Sequence, residues 1–370
     1  MRLYEESTTT YALALGKDAA LVGVELIKLG RAQALCGELA LAHQTYTRGL
    51  DIVRRHFGPD GAPVAEGLTC LGALLVQRLE LDAAVAALQE ALRIRRLADP
   101  QDPQLAYLYQ KTAEACAMKR EPQAEAYFLL AIEAYHTNAK TEPVQRTYAS
   151  DVLDDLGLFY VDFQHYDKAE RCFKQALDLR LELLGDHHAT VAYSYSNFAL
   201  LYLLREALED CERMARAALE LYAKTARTNT LAQADVYTVL GQCLHKKKAH
   251  AAALESLEKA LNHRRLHGES AEQAVAESLN YIARVLLAMR RVGRAAAHVR
   301  EARRIAFRLN QLLTEALRAE IEKTERMLPP LEEWTAADHA EAGDPPSPLP
   351  DPNAEAPKEA SEKESPGPPG

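Results

Sequence analysis

The chain lacks any apolar run of about 18 or more residues, so no segment is expected to span a membrane. Its first residues, Met1 to Ser7, have neither the apolar stretch of a secretory signal nor the arginine-rich, acid-poor character of a transit peptide. A cytoplasmic address is expected. Cysteine is sparse: Cys36, Cys70, Cys116, Cys172, Cys211 and Cys243 stand singly, without a Cys-x-x-Cys pair or metal-ligand spacing. Four of them sit at repeat positions that favour small or apolar groups, so packing is the expected role, and reduced thiols suit the cytoplasm. No nucleophile elbow, phosphate loop, zinc motif or dinucleotide fingerprint occurs. No catalytic residue, cofactor or metal is expected, and the chain is not read as an enzyme. Positive charge is not in surplus either. The formal charge is −9, and residues 329–370 alone hold ten acids against two lysines. The rest is near neutral, which argues against nucleic-acid binding by a basic body.

What the sequence does contain is a copy of itself. Leu156-Gly157-Leu158-Phe159-Tyr160 leads through the turn Gln164-His165-Tyr166 into a segment carrying Ala169, Phe173, Ala176 and Leu177. The pattern starts again 42 residues later at Phe198-Ala199 and Tyr202, and ends with Ala218-Leu219. Intervals of three and four are a helical period on both halves, so each copy reads as a hairpin of helix A and helix B. Gly157 and Ala169 are small because two helices approach to about 8–10 Å only where side chains are small. Tyr160, Phe173 and Leu177 then fill the seam. Equivalents of Leu156 recur at Leu29, Leu71, Thr112, Phe198, Leu240 and Ile282, with successive spacings of 42, 41, 44, 42, 42 and 42. Seven copies in register are not a chance match.

This pattern resembles the tetratricopeptide repeat, and its period is most similar to the kinesin light chain type. The linker Leu184-Gly185-Asp186-His187-His188-Ala189-Thr190-Val191-Ala192 is similar to that family's Leu-Gly-Lys-Asp-His-Pro-Asp-Val-Ala, with His188 on the family histidine and Ala189 replacing the proline. The place of His187 and His188 in this linker points to a structural role. The resemblance implies an all-α fold, a right-handed α-solenoid of about seven helix-turn-helix repeats, whose inner groove binds peptides or helices of other proteins.

In chain order, residues 1–16 read as an orphan helix B or N-terminal cap, because Leu15-Gly16-Lys17-Asp18 aligns with Leu184-Gly185-Asp186. Either the chain is a shortened product or this segment serves as an improvised cap. The repeat array occupies 17–310. Its third repeat is the least regular, with Thr112, Cys116 and Pro122 at unusual places, and lower stability or a hinge is expected there. Residues 311–328 read as a solvating capping helix. From Pro329 to Gly370, which holds eleven of the seventeen prolines, a disordered acidic tail is expected.

Groove positions are read at two and five residues before each anchor and two and five after it. Repeat 3 then supplies Tyr107, Gln110 and Glu114; repeat 4 supplies Asp151, Asp154 and Leu158, with Asp155 adjoining. Toward the C-terminus come Thr238, Gln242 and His245 next to Lys246, then Asn280 and Arg284. The middle is expected to be acidic and the far end basic. Acids in a first helical turn also suit the helix dipole, as lysines suit a helix C-terminus. Resemblance to kinesin light chains implies a basic pocket with paired asparagines for tryptophan-acidic cargo, but only Asn197 clearly matches such an asparagine. That cargo specificity is not carried over. Leu331-Glu332-Glu333-Trp334 itself looks similar to those ligands. It reads either as a tail that competes for the groove or as a cover for the last helix.

The function expected is that of a non-catalytic scaffold or adaptor. Its partners would be proteins, with motor, cytoskeletal and trafficking proteins as candidates. The alternative is a regulatory or assembly subunit of an enzyme complex, an organellar one included.

Overall fold

The computed structural model describes residues 2–225, 230–309 and 311–342, and every regular element among them is helical. The chain divides into two compact units, Met1–His263 and Arg264–Gly370. The division falls within the last turn of the helix at His250–Arg265, helix B of repeat 6. Repeat 3 keeps its packing because Thr112 is buried with its hydroxyl donating to Leu108 O at 2.8 Å, while Cys116 fills an apolar site.

The first unit begins with α1 (Arg2–Leu15), which packs on the hairpin α2 (Ala20–Leu35) and α3 (Leu39–Phe57). Five more hairpins follow: α4 (Ala62–Gln77) with α5 (Leu81–Ala98), α6 (Leu105–Met118) with α7 (Gln123–Asn138), and α8 (Gln145–Asp162) with α9 (Tyr166–Leu184). Then come α10 (Ala189–Leu204) with α11 (Leu208–Lys224), and α12 (Thr230–Lys246) with α13 (His250–Arg265). Even-numbered helices from α2 to α12 are the A helices, and each touches the next A helix along the chain. Among the described residues no helix B packs on the next helix B in this way. The A helices therefore form one wall.

Packing within a hairpin follows from the small residue beside each anchor. At Gly157 the backbone lies against the ring of Phe173, and a Cβ there would enter the ring. Phe173 is fully buried, which contributes about 1.5–3 kcal/mol. Alanines 176, 218 and 260 on the B helices are likewise fully buried.

Each hairpin turns in the same way. Two residues beyond the end of helix A the backbone is left-handed, at Gly37, Leu79, Arg120, Gln164, Glu206, Lys248 and Arg290, with φ between 57° and 83°. The following N–H reaches back to the carbonyl five residues earlier, as in His165 N to Tyr160 O at 2.8 Å and Ala207 N to Tyr202 O at 2.9 Å. This is the Schellman closure of a helix C-terminus. Only the first of the seven uses glycine; the other six hold a side chain in a conformation that costs about 1–2 kcal/mol per residue. Between repeats, His188 accepts from Thr190 N at 3.3 Å and caps α10, the structural role expected of the linker.

The second unit holds the seventh hairpin, α14 (Glu272–Ala288) and α15 (Val292–Arg308), then α16 (Gln311–Arg326) and α17 (Ala336–Ala342). Helix α16 lies against both α14 and α15 and buries Leu317 and Ile321. The start of the tail departs from the expectation of disorder from Pro329 onward. Residues 329–342 are ordered, and α17 packs on α15. The reason is local. Thr335 and Asp338 cap α17 reciprocally, Thr335 N donating to Asp338 Oδ2 at 2.9 Å and Asp338 N to Thr335 Oγ1 at 3.2 Å. Asp338 also accepts from Gly293 N at 3.2 Å, where the absent side chain of Gly293 lets the two backbones meet. Residues 343–370 lie outside the described residues.

Candidate partner-binding groove

On an A helix, residues five and one before the anchor and two after it share one face, within about 60° of each other on the helical wheel. In the first unit this face is the open side of the wall. Tyr107 and Tyr193 are 45% and 37% exposed there, with Glu66 and Asp235 also exposed. Lys111, Glu114, Asp151, Asp155, Leu158 and Gln242 are half-buried beside them. Lys111 Nζ lies 2.7 Å from Glu114 and 5.5 Å from the centre of the Tyr107 ring.

The positions two before the anchor turn the other way. Asp154 and Thr238 are buried, and Gln110 is half-buried and accepts from the Tyr135 hydroxyl at 2.9 Å. Asp154 is therefore not the free groove acid expected. It is the counter-ion of Arg180, a helix-B residue that is also 1% exposed. The same guanidinium donates to Ser194 Oγ at 2.6 Å and to Asp151 Oδ1 at 2.7 Å, so two of the three aspartates are tied to it. Burial pushes the Asp154 carboxyl up, against the pull of Arg180, and its Oδ1 accepts no hydrogen bond.

Asp155 alone of the three has no ion pair among the described residues. Burial, reinforced by Glu114 and Asp154 and opposed by Lys111, pushes it up to about 7. Asn197 is 5% exposed, next to Tyr193 and Asp154. The basic end does not materialise as a cationic pocket. Lys246 is met by Glu206 at 3.0 Å, His245 lies 5.1 Å from the ring of His250, and in the second unit Arg284 is 3.9 Å from Glu320. Asn280 is buried there.

Arg180 was invisible as a site residue in the sequence, yet it had a signal. Counting from the helix-B alanines, its column reads Arg95, Tyr135, Arg180, Tyr222 and Arg264. Arg95 pairs with Asp102 at 2.7 Å, and Arg264 donates to Ser278 Oγ at 2.6 Å, the counterpart of the Arg180–Ser194 bond two repeats earlier. Long polar side chains at that place reach into the seam before the next helix A. The tail motif also sits elsewhere than in a groove. Leu331 is 65% exposed, and Trp334 donates to Pro329 O at 3.0 Å and lies 5.4 Å from the His339 ring. Within the second unit the segment after it, α17, lies beside the helix B α15.

Stacked hairpins with an open A-helix wall define an α-solenoid of the repeat-protein class. A family profile described as tetratricopeptide repeat matches residues 148–224. The kinesin light chain-related protein 3 of Arabidopsis thaliana is 28% identical over 203 residues, 52% of this chain and 30% of the relative. The chain thus spans under a third of that protein's length. Among solved structures, a signal-transduction ATPase with a tetratricopeptide repeat sensor from Pyrococcus horikoshii is similar over 92% of this chain and 50% of its own, with a TM-score of 0.55 at 15% identity. The BtubC (BKLC) protein of P. vanneervenii is similar over 62% of this chain and 92% of its own, with a TM-score of 0.51 at 18% identity. Residues 148–224 are thus matched as tetratricopeptide repeats, and just over half of the chain is similar to kinesin light chain-related proteins.

Proposed function

We propose that the chain is a non-catalytic adaptor, and that the A-helix wall of repeats 3 to 5 holds an extended basic segment of a partner protein. The observation that carries this reading is Asp155, a carboxylate without an ion-pair partner among the described residues, flanked by Glu114 and Asp151 between the exposed rings of Tyr107 and Tyr193. Carboxylates attract lysine and arginine, and tyrosine faces attract the same cations and give apolar area at small entropic cost. The likeness to a kinesin light chain-related protein makes motor, cytoskeletal and trafficking proteins the first partners to test, in a cytoplasmic setting that its six free thiols suit.

The test is titration of the full chain with labelled peptides of matched length, lysine- and arginine-rich against glutamate-rich. Preference for the basic set, weakened about tenfold in the Asp155→Asn, Glu114→Gln variant, is expected. Equal binding of both sets, or an unchanged affinity in the variant, sinks the reading.

A further inference from the structure

The second unit contains a cavity of about 240 Å³ between α14 and α16. Gln273, Glu277, Asn280 and Tyr281 line it from α14, and Leu317 and Glu320 from α16. Two features set it apart from a cluster of surface acids. Asn280 is 4% exposed, and its Oδ1 accepts no hydrogen bond although it is shut away from bulk water. An orphaned amide oxygen of that kind is costly unless something donates to it. The floor is held rigidly: Leu317 is buried, and Ser278, next to Glu277 on α14, is fixed by Arg264.

Hydrogen-bond capacity identifies the occupant. The cavity is lined by carboxylates on opposite walls, Glu277 from α14 and Glu320 from α16, and by the Asn280 amide and the Tyr281 phenol. Glu277 spends one bond on Gln273 Nε2, at 3.2 Å. The cations already present are weakly engaged: Arg284 and Lys323 lie 3.9 and 3.7 Å from Glu320, both at half-exposed or exposed positions. Burial, with the field of Glu277 and Glu320 opposed by Arg284 and Arg264, raises the Tyr281 phenol. Acceptors so outnumber donors that a planar group with several N–H bonds fits best. A guanidinium offers five donors in one plane, whereas an ammonium offers three from a point.

We infer that this cavity is a receptor for a guanidinium group, the side chain of an arginine presented by a polypeptide. Its carboxylates grip the edges of the guanidinium, and Asn280 Oδ1 takes a further N–H. Arg284 competes for Glu320 from the rim.

The experiment is calorimetric or NMR titration of the full chain with Nα-acetyl-arginine-methylamide. The lysine and citrulline counterparts and free arginine serve as further arms. Saturable binding of the blocked arginine is expected, with lysine several-fold weaker and citrulline unbound. Free arginine binding better than the blocked form would overturn the polypeptide source. Glu320 is half-exposed, so Glu320→Gln should fold as the parent does and weaken binding about tenfold. Arg284→Ala should tighten it, because Glu320 loses its internal competitor. Asp155→Asn, in the other unit, should leave it unchanged, so failure here is separable from failure of the proposed groove. No saturable binding, equal binding of citrulline, or an affinity indifferent to Glu320→Gln overturns the inference.

Discussion

Replacing Asp154 by alanine deletes one carboxylate and leaves a guanidinium enclosed. Both Asp154 and Arg180 are 1% exposed. Breaking a buried ion pair by removing one member costs about 3–5 kcal/mol, because the remaining charge has lost its compensation. Arg180 keeps Ser194 at 2.6 Å and Asp151 at 2.7 Å, so the lower figure, about 3 kcal/mol, is expected. Arg180→Met strands the carboxylate instead. Asp154 is already pushed up by burial, so it can take a proton, and its folded pKa then stands above its unfolded one. Stability of that variant is therefore best preserved at low pH and falls as pH rises. The double variant Asp154→Leu, Arg180→Met carries no buried charge. It also removes two atoms that lack partners, Asp154 Oδ1 and Arg180 Nε. It should come within about 1 kcal/mol of the parent. Urea unfolding followed by circular dichroism measures the difference. Hydrogen exchange on α8 and α9 shows whether the loss is local, since a solenoid need not unfold in one step. A cost below about 1 kcal/mol for Asp154→Ala, or a double variant no better than it, refutes the argument.

Four further outcomes are expected. Asp155, raised to about 7, carries its full charge only above that pH. Affinity for a basic peptide should therefore climb from about pH 6 to about pH 8, and fluorescence anisotropy should show the slope vanish in Asp155→Asn. Gln164→Gly relieves a left-handed residue at φ 60°. Relief of about 1–2 kcal/mol, less about 0.4–1 for glycine's unfolded freedom, should raise the urea midpoint slightly. Gly157→Ala drives a methyl into the Phe173 ring and should cost about 1–3 kcal/mol by the same assay. Truncation after Leu328 uncovers α15 and should increase hydrogen exchange across Val292–Arg308; unchanged protection there would show that α17 contributes nothing.

The hairpins were legible in the sequence because period and small-residue spacing act within one repeat: Gly157 faces Phe173 sixteen residues on, and both lie in the same 42-residue copy. The groove was legible only to within one step around the helix. In repeats 3 to 5 the positions one and two before the anchor both carry polar residues, so periodicity alone does not say which faces out. The answer depends on what the neighbouring helix supplies, as Arg180 does for Asp154. The first residues of the tail, 329–342, are more regular than their composition suggests for a similar reason. That composition has little to bury, but Gly293, more than forty residues upstream, opens a seat for the backbone at Asp338. Cysteines behaved as their surroundings suggested: Cys116, Cys172, Cys211 and Cys243 are buried and unpaired.

The repeated left-handed turn also gives the molecule a ruler. Its closure is made by main-chain atoms, so nothing in the geometry depends on which side chain stands at Arg120, Gln164, Glu206, Lys248 or Arg290, all of them exposed. Dyes, spin labels or crosslinkers could be placed at those five marks, a single repeat from mark to mark, without entering the core. Shape changes on partner capture would then be read directly as distances between them.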